Sequence, residues 1–306
     1  MSLNTRTLKS DTLLLTTATI WGFAFVAQRV GMEYVGPFIF NGIRFALGCM
    51  VLLPIILRNG TIHGSSQKSA ENPGWGGLLG GGFIAGLVLF AGSSLQQTGI
   101  VHTTAGNAGF ITGLYVVIVP ILGLFLGQRT SAGTWIGVLL AAFGMYLLSV
   151  TEQFTISFGD LLVFIGAFFW AGHVIIIGWL SPRFDSLQLA FIQYAICSLL
   201  SLITSLIFEA TAGPALVQAS IPILYGGVLS VGIAYTLQVV AQKNAHPAHA
   251  AILLSLEAVF AALGGWIMLD EILTPRELSG CALMFAGMIV SQLWGYALFR
   301  VMAKRS

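Results

Sequence analysis

Ten apolar stretches follow one another along this chain, near residues 12–31, 36–57, 76–97, 104–126, 132–150, 157–180, 186–208, 219–242, 247–269 and 277–299. Each approaches the roughly 20 residues a helix needs to cross a hydrocarbon core. In lipid every backbone polar group has to be satisfied within the segment, so such stretches fold as helices. Five spans followed by five more place the second set upside down relative to the first. The expectation is an all-α integral membrane protein with ten transmembrane helices. These would form two inverted five-helix repeats, residues 1–150 and 151–306, together making one membrane domain. Inverted repeats of this kind mark secondary transporters, whose site lies near the bilayer midplane between the halves.

Charge supports this class. Only 8% of the residues are charged, against roughly 25% in an ordinary soluble protein. The polar loop over 58–75 is the longest connection, so no soluble domain is expected. Ten of the thirteen basic residues fall on one side: Arg6, Lys9, Arg58, Lys68, Arg129, Arg183, Lys243, Arg300, Lys304 and Arg305. Arg29 and Arg276 fall on the other side, with Glu33, Glu152, Glu209, Asp270, Glu271 and Glu277. The positive-inside bias then puts both termini in the cytoplasm. The first span is too long for a signal-peptide core and lacks an A-x-A cleavage site. Cys49, Cys197 and Cys281 lie within spans without C-x-x-C spacing, and read as small packing residues rather than metal ligands or a disulfide framework.

The halves overlay on each other. Trp21 in ATIWGFAFV matches Trp170 in AFFWAGHVI at an offset of 149, which also carries Arg44 onto Gln193. Further on, Gly137 matches Gly280 and Gly144 matches Gly287 at an offset of 143. Several matches in one order mark an internal repeat.

Four segments carry a resemblance across essentially the whole chain: ATIWGFAFV, the Arg44–Phe45 pair in GIRFALG, FITGLYVVIVPILGLFLGQRT, and LLSLEAVFAALGGWIMLDEILT followed by Gly280. The chain resembles the EamA-type permeases of the drug/metabolite transporter superfamily. That resemblance implies a permease in the bacterial inner membrane, exporting a small metabolite such as an amino acid, with no cofactor. Similar proteins often carry Pro after the Glu of LEAVFAALGG. Here Ala258 stands there, which predicts a straighter ninth helix without a Pro-dependent hinge.

Six residues stand out as candidate cavity groups. Glu257 lies mid-span, where a charge costs from about 2.5 to over 10 kcal/mol. It must face the interior, be paired or be protonated, and Ala250, Ala261 and Gly264 on its face leave room beside it. It reads either as a proton-coupling or substrate-amine site or as a buried packing carboxyl. Arg44 shares a face with Pro37, Asn41, Gly48 and Val51. It could grip a substrate carboxylate bidentately, or snorkel outward, or pair with Glu33. Trp21 and Trp170 lie deep in their spans, whereas Trp75, Trp135, Trp179 and Trp266 sit near span ends as interfacial Trp do. The deep pair could wall a cation-friendly cavity or simply pack. His173, three residues after Trp170, could relay protons or be a satisfied hydrogen-bond partner. Asn107, near Thr103 and Thr104, could bind substrate or bond another helix. Gln96, Gln97, Gln238 and Gln242 lie near span ends and read as ordinary.

Other classes find no support in the residues. GWGGLLGGGF lacks the spacing of a dinucleotide fingerprint and follows no strand, while Gly82 and Gly86 give small-xxx-small spacing on a membrane helix. Ser65 and Lys68 have S-x-x-K spacing but fall in the loop. No Walker A, G-x-S-x-G or H-E-x-x-H occurs, so neither an ATP motor on this chain nor an enzyme is expected. The expected partners are a small-molecule substrate, the lipid bilayer and protons as coupling ion, with no nucleic acid. A nucleotide-sugar or organophosphate exchanger shares the architecture but should carry several intramembrane cations, and Arg44 stands alone. A non-transporting receptor or scaffold would not need polar midplane groups.

Overall fold

The computed structural model describes residues 5–58, 74–128, 130–149, 157–210, 213–269 and 274–303. The loop expected over 58–75 falls, but for its ends, outside the described residues, as do Lys68, Arg129, Glu152, Asp270, Glu271, Lys304 and Arg305. The described chain is all helical. In order come α1 (Thr5–Gly31), α2 (Pro37–Arg58), α3 (Gly74–Ile100), α4 (Ala105–Gly113), α5 (Tyr115–Phe125), α6 (Ala132–Ser149), α7 (Phe158–Leu180), α8 (Ser186–Phe208), α9 (Gly213–Gln218) and α10 (Ser220–Leu224). A π-helical segment, Tyr225–Tyr235, leads into α11 (Thr236–Ala241), followed by α12 (Pro247–Leu254), α13 (Glu257–Met268) and α14 (Pro275–Ala303).

Among the described residues, eight helical runs are long and apolar enough to cross a membrane. The apolar stretches Ala132–Gly144 and Leu278–Ser291 are shorter. Leu, Phe and Ile side chains are exposed along the outer faces, as lipid contact requires, and Trp75, Trp179 and Trp266 are more than half exposed.

Two expected spans are each broken in two. Residues 104–126 divide at Leu114, whose N–H turns back to Ile111 O (3.2 Å). Residues 247–269 divide at Ser255–Leu256, where Leu256 N–H reaches Leu253 O (3.3 Å) and Ala258 N–H reaches Ser255 O (3.1 Å). These i→i+3 bonds tighten the helix locally. Ser255 Oγ also donates to Ile252 O (2.9 Å), a back-bond that bends helices. The straighter ninth helix expected from Ala258 is therefore corrected: a serine and a tightened turn break it without proline.

Glycine sets the close approaches. Gly137 and Gly144 of α6 face Gly287 and Gly280 of α14: a Cβ on Gly137 would lie 2.8 Å from Gly287 O, and one on Gly144 2.5 Å from Gly280 O. The repeat-related glycines thus meet each other crosswise. On α3, Gly82 and Gly86 seat Ile192 and Ile196 of α8. Gly22 of α1 lies against Phe260, Ala261 and the Glu257 carbonyl of α13, where a Cβ would collide with backbone. Gly22→Ala is expected to lower stability by about 1–3 kcal/mol through overpacking. Thermal unfolding in detergent measures this, and an unchanged midpoint would contradict the packing described.

Candidate functional site

The site forms where α1, the middle of α2, the end of α3, both halves of the fourth span, α7, the π-helical segment and the start of α13 converge. The π segment shapes it. Its carbonyls also accept hydrogen bonds from α1 side chains. Trp21 Nε1 donates to Ser230 O (3.2 Å) and Thr17 Oγ1 to Ala234 O (3.1 Å), while Tyr225 OH donates back to Ile20 O (3.0 Å). Gly48 and Gly227 let α2 press against the same segment. Tyr235, at its end, becomes the centre of an aromatic cluster. Its ring centroid is 4.4 Å from that of Trp21, 5.9 Å from Phe45, 6.1 Å from Trp170 and 6.3 Å from His173.

These rings wall a narrow cavity that Trp21, Arg44, Trp170, His173 and Glu257 all line. Arg44 is 2% exposed. Its Nε donates to Asn41 Oδ1 (2.9 Å), and Asn41 Nδ2 donates to Ser93 O (3.1 Å), so α3 orients the guanidinium through α2. The Phe40 and Phe45 rings lie 5.6 and 5.1 Å from its central carbon, within cation–π range. Glu33, considered above as its partner, instead pairs with Arg29 at 3.8 Å. No carboxylate lies within ion-pair distance of Arg44 among the described residues.

Glu257, 3% exposed, opens α13 immediately after the break in the ninth span. Its Oε1 has no partner in regular hydrogen-bond geometry, and Tyr115 OH at the start of α5 is the hydroxyl that faces the carboxyl and interacts with it. Trp170 Nε1 and both polar atoms of the Gln238 side chain are likewise buried without partners. A buried polar group without a partner costs about 1–3 kcal/mol, and here several point into one space. His173, by contrast, is bonded to Gln193 Oε1 at 2.8 Å, and Gln193 is the repeat counterpart of Arg44.

Asn107 lies elsewhere. It falls within the fourth span, Ala105–Phe125, as the spacing predicts, but on the first turn of α4, exposed, with its N–H held by Thr104 Oγ1 (3.1 Å). Several lining groups escaped the sequence reading. Gln96 and Gln238, read as ordinary, are buried and line the cavity. Gln28 accepts from Gln96 Nε2 (3.0 Å), and Thr112 Oγ1 donates to Gln96 Oε1 (3.4 Å). Tyr115 and Tyr235 complete the wall. The available signal was a glutamine or tyrosine on the face already carrying Trp21, Arg44 or Glu257.

Long apolar helices around a narrow cavity lined by buried polar and aromatic side chains define a multi-pass membrane protein. The EamA-like transporter family matches the chain twice, over residues 8–150 and 157–292, and the chain belongs to that family. An uncharacterized transporter of Archaeoglobus fulgidus is 32% identical over 94% of this chain and 86% of its own length. The uncharacterized transporter YoaV of Bacillus subtilis is 21% identical over 91% and 94%. The uncharacterized inner membrane transporter YedA of Escherichia coli K12 is 26% identical over 50% and 47%. A solved crystal structure, 18% identical, shares the fold with a TM-score of 0.76 over 97% of this chain and 99% of that one.

Proposed function

We propose that the chain is a secondary transporter that exports a small zwitterionic metabolite, an amino acid being the simplest example, across the bacterial inner membrane by alternating access. The observation that carries this is one aromatic-walled cavity holding a buried guanidinium with no acidic partner and a carboxyl with an open oxygen. A carboxylate on Arg44 and an ammonium against Glu257 and the indoles would supply what each lacks. A phosphorylated solute fits less well, because among the described residues Arg44 is the one Lys or Arg lining the cavity. The test is counterflow of amino acids in proteoliposomes: saturable exchange supports the reading, and none with any amino acid rejects it.

The ten spans form two inverted five-helix repeats in this reading, residues 1–150 and 151–306, that rock around the cavity. Its support is the doubled family match and the crosswise glycine contacts of α6 with α14, which a two-fold relation between halves would generate. Both termini lie in the cytoplasm. A reporter active only in the periplasm should work when fused after Glu152 and stay silent after Ser306, and the reverse pattern overturns the orientation.

A further inference from the structure

The offset of 149 that relates Trp21 to Trp170 also relates Asp11 to Asp160. Neither aspartate belongs to the cavity, and each accepts a hydrogen bond from the leading end of a broken span, Asp160 while also closing the capping box of α7 with Ser157. Asp11, near the start of α1, accepts from His249 Nε2 at 2.9 Å, and Ser291 Oγ of α14 sits 3.3 Å from the other ring nitrogen. Asp160, in the first turn of α7, accepts from Thr103 Oγ1 at 2.6 Å. His249 stands in the first turn of α12 and Thr103 just before α4. Those are the leading halves of the two broken spans. Each half-helix is therefore held at its free end by an aspartate of the opposite repeat, and turns at its other end on a tightened break beside the cavity.

The two bonds lie at opposite ends of the bundle. Gln28, near the end of α1, is bonded by Gln96 and Gln97 near the end of α3. The end of α3 packs on the start of α7, with Gly99 against Gly159. Asp160 thus shares an end with Gln28, and Asp11 lies seventeen residues from Gln28 on one helix, about 25 Å away. The half-helices also bridge elements of both repeats: α12 packs on α1, α5, α7 and α14, and α4 on α1, α3, α7 and α13.

We propose that Asp11–His249 and Asp160–Thr103 are the paired gate clasps of the transport cycle. One closes the cavity at the end where α1 begins, the other at the end where α7 begins, and each releases its half-helix in turn. The proposal rests on the alternating-access reading. The aspartates, His249 and Thr103 act as positioning residues that never touch the solute.

The experiment uses the full chain with Cys49, Cys197 and Cys281 replaced by Ala and a single cavity cysteine, Ser230→Cys. The reaction of that thiol with a membrane-impermeant methanethiosulfonate is timed from each face of sealed vesicles. Asp11→Asn should speed labelling about tenfold from the face where α1 begins, and Asp160→Asn about tenfold from the other, as loss of the charge that strengthens one hydrogen bond predicts. His249→Ala and the near-isosteric Thr103→Val should reproduce these effects and keep the test open should an aspartate variant fail to fold. Swapping the partners, Asp11→His with His249→Asp, should restore slow labelling. Parental rates in all four single variants, or acceleration from the same face by both sets, overturn the clasps. Fast labelling of the parent from both faces at once removes alternating access and the clasps with it, whereas slow parental labelling with unaltered variants removes the clasps alone.

Discussion

Glu257→Gln is expected to fold, to reach the membrane and to lose all accumulation driven by a pH gradient. A buried carboxylate needs a cation or a proton beside it, and among the described residues no Lys or Arg pairs with Glu257. On the proposed export reading, substrate ammonium and proton would be alternative occupants of one carboxyl, which would couple outward movement of the first to inward movement of the second. One pH unit is worth about 1.4 kcal/mol, so one-for-one exchange across a unit gradient supports about tenfold accumulation. Glutamine keeps the shape and hydrogen-bonding reach and cannot release a proton. The variant should therefore equilibrate substrate without concentrating it, while downhill exchange survives. Flux in proteoliposomes with and without a gradient measures the difference. Undiminished accumulation would return Glu257 to a packing role.

Arg44→Gln is expected to weaken substrate binding about 10- to 100-fold. Hydrogen bonds to a charged group contribute about 1.5–3 kcal/mol each, and a factor of ten corresponds to about 1.4 kcal/mol. The variant is also expected to hold or gain stability, because a desolvated cation without an ion-pair partner is costly to bury. Glutamine can still donate to Asn41 Oδ1, which preserves the link through Asn41 to Ser93 O. Arg44→Lys keeps the charge but loses the planar fork, and should fall between the two. Binding by equilibrium dialysis, set beside thermal unfolding, separates the alternatives. A structural arginine would show the opposite pattern, with stability falling and affinity unchanged.

The all-helical membrane architecture was legible because apolar runs of spanning length are a one-dimensional signal. Glu257, Arg44, Trp21 and Trp170 stood out for the same reason: each interrupts a run where lipid tolerates such groups poorly or where Trp seldom sits. The breaks were hidden. Leu114 and Leu256 are good helix formers, and Ser255 acts through a back-bond that only geometry reveals. Asn107 was misread because helix spacing was counted through Thr103 and Thr104, before α4 starts. Gln96 and Gln238 were passed over because glutamine near a span end usually meets headgroups, whereas α3 runs on to Ile100 and turns Gln96 inward. Tyr235 gave no warning, since an aromatic in a span reads as packing and its central place comes from π winding, which no residue pattern announced.

On the proposed reading, one cavity reads both charges of a zwitterion. Counterflow into proteoliposomes should therefore be measured for one transported amino acid beside its carboxamide and its N-acetyl derivative. The amino acid should exchange, the carboxamide should fail for want of a carboxylate for Arg44, and the N-acetyl compound should fail for want of an ammonium for Glu257. Equal exchange of all three would contradict that reading.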